Sequence, residues 1–346
     1  MPKSIDGGAK SGSGTIVRYS VALASLLGMP VAVDNVRAKR PKPGLRAQHL
    51  KVIQAGREMC RAVVSGAELG SRRIVYIPGE KFRGGEYGWN IGTAGSTTML
   101  AQTLMPLACF AEEPSRFRLE GGLFQDFAPS AYHMKFVLLP LLERMGVRAS
   151  LDIVRPGYVP RGAGIIEIEV QPVKELKPLV LTEQGRAVDI RGIALSSHLR
   201  GKQVSHRMAV ECQRVLSSHG YKAAIREAND TSALQEGAAL AIWADTSSNG
   251  RIGSDRAGMA GRSSESIGSC VAEQFIQDVS SGAAVDRYVA DQLVMYAALA
   301  DGTSRYAIPG ITEHVETNLW LIAEFLGVRT KISGNIVEIR GIGFRG

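Results

Sequence analysis

His314 stands two residues after Thr312 and opens an apolar run that continues to Phe325. Thr312 reads as an N-cap, which places His314 in the first turn of a helix. There the helix dipole disfavours imidazolium and attracts phosphate oxygens. A neutral imidazole with one free ring nitrogen is a nucleophile toward phosphorus. Standing alone, the same residue reads as an ordinary member of a capped first turn. Upstream lies Tyr288-Val289-Ala290-Asp291-Gln292-Leu293, in a helix that puts Tyr288 and Gln292 on one face with Asp291 beside them. A surface helix with a half-buried tyrosine is the plainer alternative.

A basic stretch supplies the complementary charge. From Val36 to Lys51 the chain carries Arg37, Lys39, Arg40, Lys42, Arg46, His49 and Lys51 with no acidic residue. Such a run is often only a solvated loop leading into a helix. Here Pro41, Pro43 and Gly44 would stiffen the loop and fix where its charges point. A phosphate-rich ligand is the competing reading, and the net charge of +8 favours an anionic partner.

The elements that must hold these residues are those of a globular α/β protein. At 346 residues the chain is expected to form more than one domain, and its 45% hydrophobic and 21% charged content is ordinary. No apolar run is long enough to span a bilayer and Met1-Pro-Lys-Ser lacks a signal-peptide core, so a cytoplasmic protein is expected. Four cysteines without paired spacing predict reduced thiols rather than a disulfide framework or a zinc site.

Three stretches repeat one plan: a glycine, a small-residue helix, a strand, a second helix and closing strands. They start at Gly14, Gly95 and Gly282. A repeat of this length means copies of one α/β unit packed together. Residues 181–280 break the pattern and read as a compact inserted α/β domain, strand-helix-strand-strand-helix. Its last strand and helix are separated by a polar glycine-rich loop, TSSNGRIGSDRAGMAGRSS. The expected organisation is therefore 1–180 for repeats one and two, 181–280 for the insert, and 281–346 for repeat three.

Seven runs in order carry a family resemblance. They are Asp6-Gly7 with Gly14 and Arg18, Arg37 to Leu45, Gln48-His49-Leu50, Gly66 to Ser71, Gly92 to Ser96 with Gln102, Pro160-Arg161-Gly162, and the pair formed by the Tyr288 and His314 segments. The chain resembles the RNA 3'-terminal phosphate cyclases over nearly its whole length. The resemblance implies a large domain of three four-stranded-sheet/two-helix units with a smaller α/β domain inserted. It implies an ATP-dependent enzyme acting on RNA 3'-phosphate ends to give 2',3'-cyclic phosphates, through a His314–AMP adduct and then an RNA adenylate. By the same resemblance Gln102, Tyr288, Val289, Ala290, Asp291 and Gln292 contact ATP, Arg18 and Arg40 handle phosphate, and a divalent cation (magnesium or manganese) takes part. Arg37, Lys42, Gln48 and His49 are further candidates around the same cleft.

Some positions depart from the family pattern. Ser11 stands where a glutamate is usual, a residue expected to touch the cation. Gly121-Gly122 leads into Leu123-Phe124-Gln125-Asp126, a double proline becomes Pro129-Ser130, and a triple glycine becomes Gly162-Ala163-Gly164. Two other classes compete with the cyclase. A non-catalytic cyclase-like RNA-binding protein of ribosome assembly would lack His314. An enolpyruvyl transferase shares the repeated unit but would not need the basic loop.

Overall fold

The computed structural model describes every residue of the chain except Phe127. Each unit runs strand, helix, strand, helix, strand, strand. The first comprises β1 (Lys3–Asp6), α1 (Gly14–Leu27), β2 (Val31–Asp34), α2 (Ala47–Cys60), β3 (Val63–Ser65) and β4 (Ile74–Ile77). The second comprises β5 (Gly85–Asn90), α3 (Thr97–Cys109), β6 (Ser115–Gly121), α4 (Ala131–His133), α5 (Leu139–Arg144), β7 (Arg148–Arg155) and β8 (Gly164–Gln171). A π-turn over Met134–Leu138 joins α4 to α5, so the second helix predicted there is wound unevenly. The third unit opens with β9 (Val180–Leu181). Then comes the inserted segment: β10 (Ala187–Ser197), α6 (Val204–Ser218), β11 (Ala223–Asp230), β12 (Gly237–Thr246), β13 (Arg251–Ala257) and α7 (Ser264–Ser280). The unit closes with α8 (Val289–Leu299), β14 (Thr303–Ala307), α9 (Glu313–Leu326), β15 (Arg329–Ser333) and β16 (Ile336–Arg340).

One pairing rule covers the three units. Their sheet orders are β1-β2-β4-β3, β5-β6-β8-β7 and β9-β14-β16-β15. In each, the first two strands are parallel across a crossover helix and the remaining pairs are antiparallel. The sequence reading puts the insert between the second and third repeats. The sheet places it inside the third unit, because β9 pairs with β14 from ahead of the insert. A two-residue strand leaves no periodic signal to read.

The insert has its own sheet, β11-β10-β12-β13, backed by α6 and α7. Its core includes Ile190, Leu240, Ile242, Val271 and the fully buried Phe275. The sheet's other face packs on the main core through Ile193, Leu195 and Trp243, whose ring stacks on Phe136 at 4.2 Å. Burial on both faces is why Ala238 to Ala244 reads as a continuous apolar run. The polar loop expected after β12 instead contains β13. That strand pairs with β12 over Arg251–Ala257, and its Gly253, Ser254 and Asp255 are buried by tertiary contact rather than by hydrophobicity.

Helix ends follow local chemistry. Ser13, Ser96, Ser130 and Thr312 each accept a backbone N–H at a helix start. Gly28 and Gly327 close α1 and α9 in the left-handed conformation. The helix read from Ala283 begins only at Val289, since the Asp286 carboxylate takes the Tyr288 and Val289 amides and starts it there. All four cysteines are free. Among the described residues, no helix is long and apolar enough to cross a membrane. Truncating Phe275 to alanine should lower unfolding free energy by about 3–5 kcal/mol. A urea midpoint shift corresponding to under about 1 kcal/mol would show that the insert core adds little to stability.

Candidate active site

The first helices of the units, together with α9, turn their N-termini toward one cleft of about 560 Å³. Its wall is assembled from all three units. Ser13, Gly14, Thr15, Arg18 and Tyr19 come from the start of α1, Arg37, Arg40 and Arg46 from the basic loop, Gln48 and His49 from α2, Met99 and Gln102 from α3, Tyr288, Asp291 and Gln292 from the start of α8, and His314 with Asn318 from α9.

His314 sits in the first turn of α9, behind the Thr312 cap, whose Oγ1 accepts the Val315 amide at 3.2 Å. The turn is held from below by Thr317. Its hydroxyl bonds the Ser11 hydroxyl at 2.9 Å and accepts the Ser11 amide at 3.1 Å. Asn318 completes the frame, donating to the Asp291 carbonyl at 3.0 Å and accepting from Thr15 Oγ1 at 3.3 Å. The imidazole itself makes no hydrogen bond to another described residue and is open to the cleft. Although solvent reaches the ring, the surrounding walls disfavour its charged form. Desolvation lowers its pKa, the Arg18 and Arg40 guanidiniums lower it further, and Glu313 opposes them weakly. At neutral pH the ring is a free base with an available nitrogen.

Arg18 and Asp291 face one another deep in the cleft. Burial pushes Arg18 down to about 10 while Asp291 pulls it back up. Burial also pushes Asp291 up to about 7, against the pull of Arg18. The Asp291 backbone carbonyl accepts the Tyr19 hydroxyl at 3.2 Å, so the residue is held by α1 and α9 together.

Gln102 and Gln292 add uncharged polar groups to this wall. Gln102 Nε2, Gln292 Oε1 and the Tyr296 hydroxyl are buried with no hydrogen-bond partner among the described residues. Unpaired buried groups of this kind cost stability unless a ligand satisfies them. Of the residues predicted with them, Val289 and Ala290 do not line the cleft. Both are fully buried against the core, because α8 turns their side chains away from Tyr288 and Gln292.

The basic loop divides its labour. Arg40 lines the cleft, as does Arg37, but Arg37 Nη1 is spent on the Lys42 and Gly44 carbonyls at 2.8 and 2.7 Å. Lys42 is exposed and lies outside the cleft lining. Gly44, at φ 81°, passes so close to Gly70 that a Cβ would meet its carbonyl at 2.2 Å. The loop is pinned, not free. His49 is buried and structural: its Nδ1 accepts the Arg46 amide at 3.2 Å, and its Nε2 would lie 2.0 Å from a Cβ at Gly14. Burial, then the charges of Arg18, Arg37 and Arg46, hold it well below the ordinary imidazole range. Gln48 accepts the Ser96 amide at 3.2 Å and ties this loop to the start of α3. Ser11 turns its hydroxyl into the α9 contact and away from the cleft wall.

Arg46, Met99, Arg287 and Tyr296 also line the cleft. Arg46 belongs to the basic stretch read from the sequence, while Met99, Arg287 and Tyr296 carry no signal of their own there.

The profile of "RNA 3'-terminal phosphate cyclase" matches residues 9–332. The chain belongs to the RNA 3'-terminal phosphate cyclase family. Proteins of that name from Pyrobaculum aerophilum and Methanopyrus kandleri are 37% and 36% identical to it, with at least 97% of each chain covered. The one from Nitrosospira multiformis is 36% identical, covering 98% of this chain and 96% of its own. Similarity to these cyclases thus spans every residue that lines the cleft.

The raised Asp291 gives a pH signature. Between the ordinary carboxyl value of 3.8 and about 7, the folded protein keeps a proton that the unfolded chain has lost. Stability from this group is therefore full below 3.8, falls as pH rises, and is gone above about 7. Asp291→Asn should flatten the decline in unfolding free energy between pH 5 and pH 8, read by urea titration at each pH. An unchanged slope would mean that Asp291 is ionised in the folded protein.

Proposed function

We propose that this protein uses ATP to convert an RNA 3'-terminal phosphate into a 2',3'-cyclic phosphate, with His314 as the nucleophile. The observation that carries the reading is the His314 ring: neutral, free of protein partners among the described residues, and facing a cleft ringed by Arg18, Arg40 and Arg46. In the first step a His314 nitrogen attacks the α-phosphorus of ATP, the bond to the bridging oxygen breaks, and pyrophosphate leaves. An oxygen of the RNA 3'-phosphate then attacks the same phosphorus and displaces histidine. Finally the 2'-hydroxyl oxygen attacks the 3'-phosphorus, loses its proton, and AMP departs with the bridging oxygen.

Arginines do most of the electrostatic work, since each step moves negative charge among phosphate oxygens. The unpaired Gln102 Nε2 and Gln292 Oε1 would meet an acceptor and a donor on the adenine edge. Tyr288 supplies an aromatic wall for the base or ribose.

The donor set does not fit a cation held by the protein. No cluster of three His, Cys, Asp or Glu side chains suited to a metal occurs among the described residues. Asp291 keeps its proton to about 7, and the charge that acts on it most strongly is the Arg18 guanidinium. A divalent ion would here be held chiefly by the ATP phosphates, and no step is routed through it.

The test is incubation with ATP and an oligoribonucleotide ending in a 3'-phosphate. A phosphatase-resistant 2',3'-cyclic end should form with the wild-type protein. His314→Ala should reduce the rate by at least about 1,000-fold while remaining folded, because a cleft-facing first-turn residue carries little packing. Cyclisation by the alanine variant at more than about a tenth of the wild-type rate would remove His314 from the chemistry.

A further inference from the structure

Behind the cleft lies a buried polar cluster that takes no part in the steps above. His133, on α4, is 1% exposed, and Asp286, just ahead of α8, is 0% exposed. His133 Nε2 lies 3.0 Å from Asp286 Oδ2, which also accepts the backbone amide of Gly253, on β13, at 2.9 Å. The other oxygen, Oδ1, accepts the amides of Tyr288 and Val289, each at 2.9 Å. One carboxylate thus binds the second unit, the insert and the start of α8. The His133 and Tyr288 rings meet edge to face at 5.6 Å. Next to it, Asp278 of α7 grips the Arg287 guanidinium at 2.8–3.2 Å. Both cleft residues at this corner, Arg287 and Tyr288, are therefore fixed from behind.

Burial alone would lower His133 and raise Asp286, but the charge and hydrogen bond between them shift His133 up and Asp286 down, with Asp255 and Asp278 adding to the pull on His133. Gly253 is part of the design: a Cβ there would meet Val137 Cγ2 at 2.5 Å and push the amide away from the carboxylate.

We infer that His133 and Asp286 form a positioning pair for the nucleotide, setting where Tyr288 and Arg287 stand, with the insert taking part through Gly253 and Asp278. The inference rests on the reading that the start of α8 contacts ATP. It does not require His314 to be the nucleophile. His133→Leu leaves the Asp286 carboxylate buried and short of one donor, so the start of α8 should relax. His133→Gln restores an N–H donor to the same oxygen.

The experiment is equilibrium titration of the full chain with ATP, without RNA, for wild type and both variants, with thermal unfolding as the control for folding. His133→Leu should weaken ATP binding at least tenfold in protein that still unfolds cooperatively, and His133→Gln should recover most of that loss. A merely structural role would lower the unfolding temperature and leave the Kd of the folded fraction unchanged. An ATP Kd within twofold of wild type in folded His133→Leu, or no recovery in His133→Gln, would overturn the inference. So would a wild-type protein that does not bind ATP. Intact ATP binding with the predicted variant pattern but no cyclisation would instead count against the His314 chemistry and leave the positioning pair standing.

Discussion

Asn318 is the point on which the cleft closes. Its side-chain amide spans three helices, accepting from Thr15 on α1 and donating to the Asp291 carbonyl on α8 from its own place on α9. The residue is 1% exposed, so both bonds form away from water and leaving either unmade would be costly. Thr317, its neighbour, fastens the N-terminal loop at Ser11. Residues at opposite ends of the chain are thereby locked around one helix turn. The placement of His314 relative to Arg18 and Asp291 follows from that lock.

Electrostatics then select the protonation states. The guanidiniums of Arg18, Arg40 and Arg46 concentrate positive charge at the helix N-termini, where dipoles already favour anions. Desolvation, then the charges of Arg18 and Arg40, lower the His314 pKa and favour its neutral ring. Asp291 sits at the margin of ionisation, because burial and Arg18 pull in opposite directions. Preorganised charge of this kind is what phosphoryl transfer asks of a protein.

Much of the arrangement is legible in the sequence, for physical reasons that can be named. Apolar periodicity marks α1, α3 and α9, and Thr312, read as an N-cap, places His314 in the first turn. Other features leave no local trace. β13 is made of residues such as Gly253, Ser254 and Asp255, whose burial comes from neighbours far along the chain. β9 is two residues long, and α8 starts where Asp286 caps it, not where its small residues begin. Val289 and Ala290 belong to a motif by adjacency, but helix geometry sends them into the core. Arg37 is basic like Arg40 yet holds its own loop. Composition cannot distinguish a charge that binds a ligand from one that binds a carbonyl.

The measurement that bears most directly on the account is mapping the site of adenylylation by mass spectrometry after incubation with ATP alone. An acid-labile AMP on a His314 nitrogen is the predicted result, since that ring alone combines neutrality, access and flanking guanidiniums in the cleft. AMP attached to a lysine or to any residue other than His314 would contradict it.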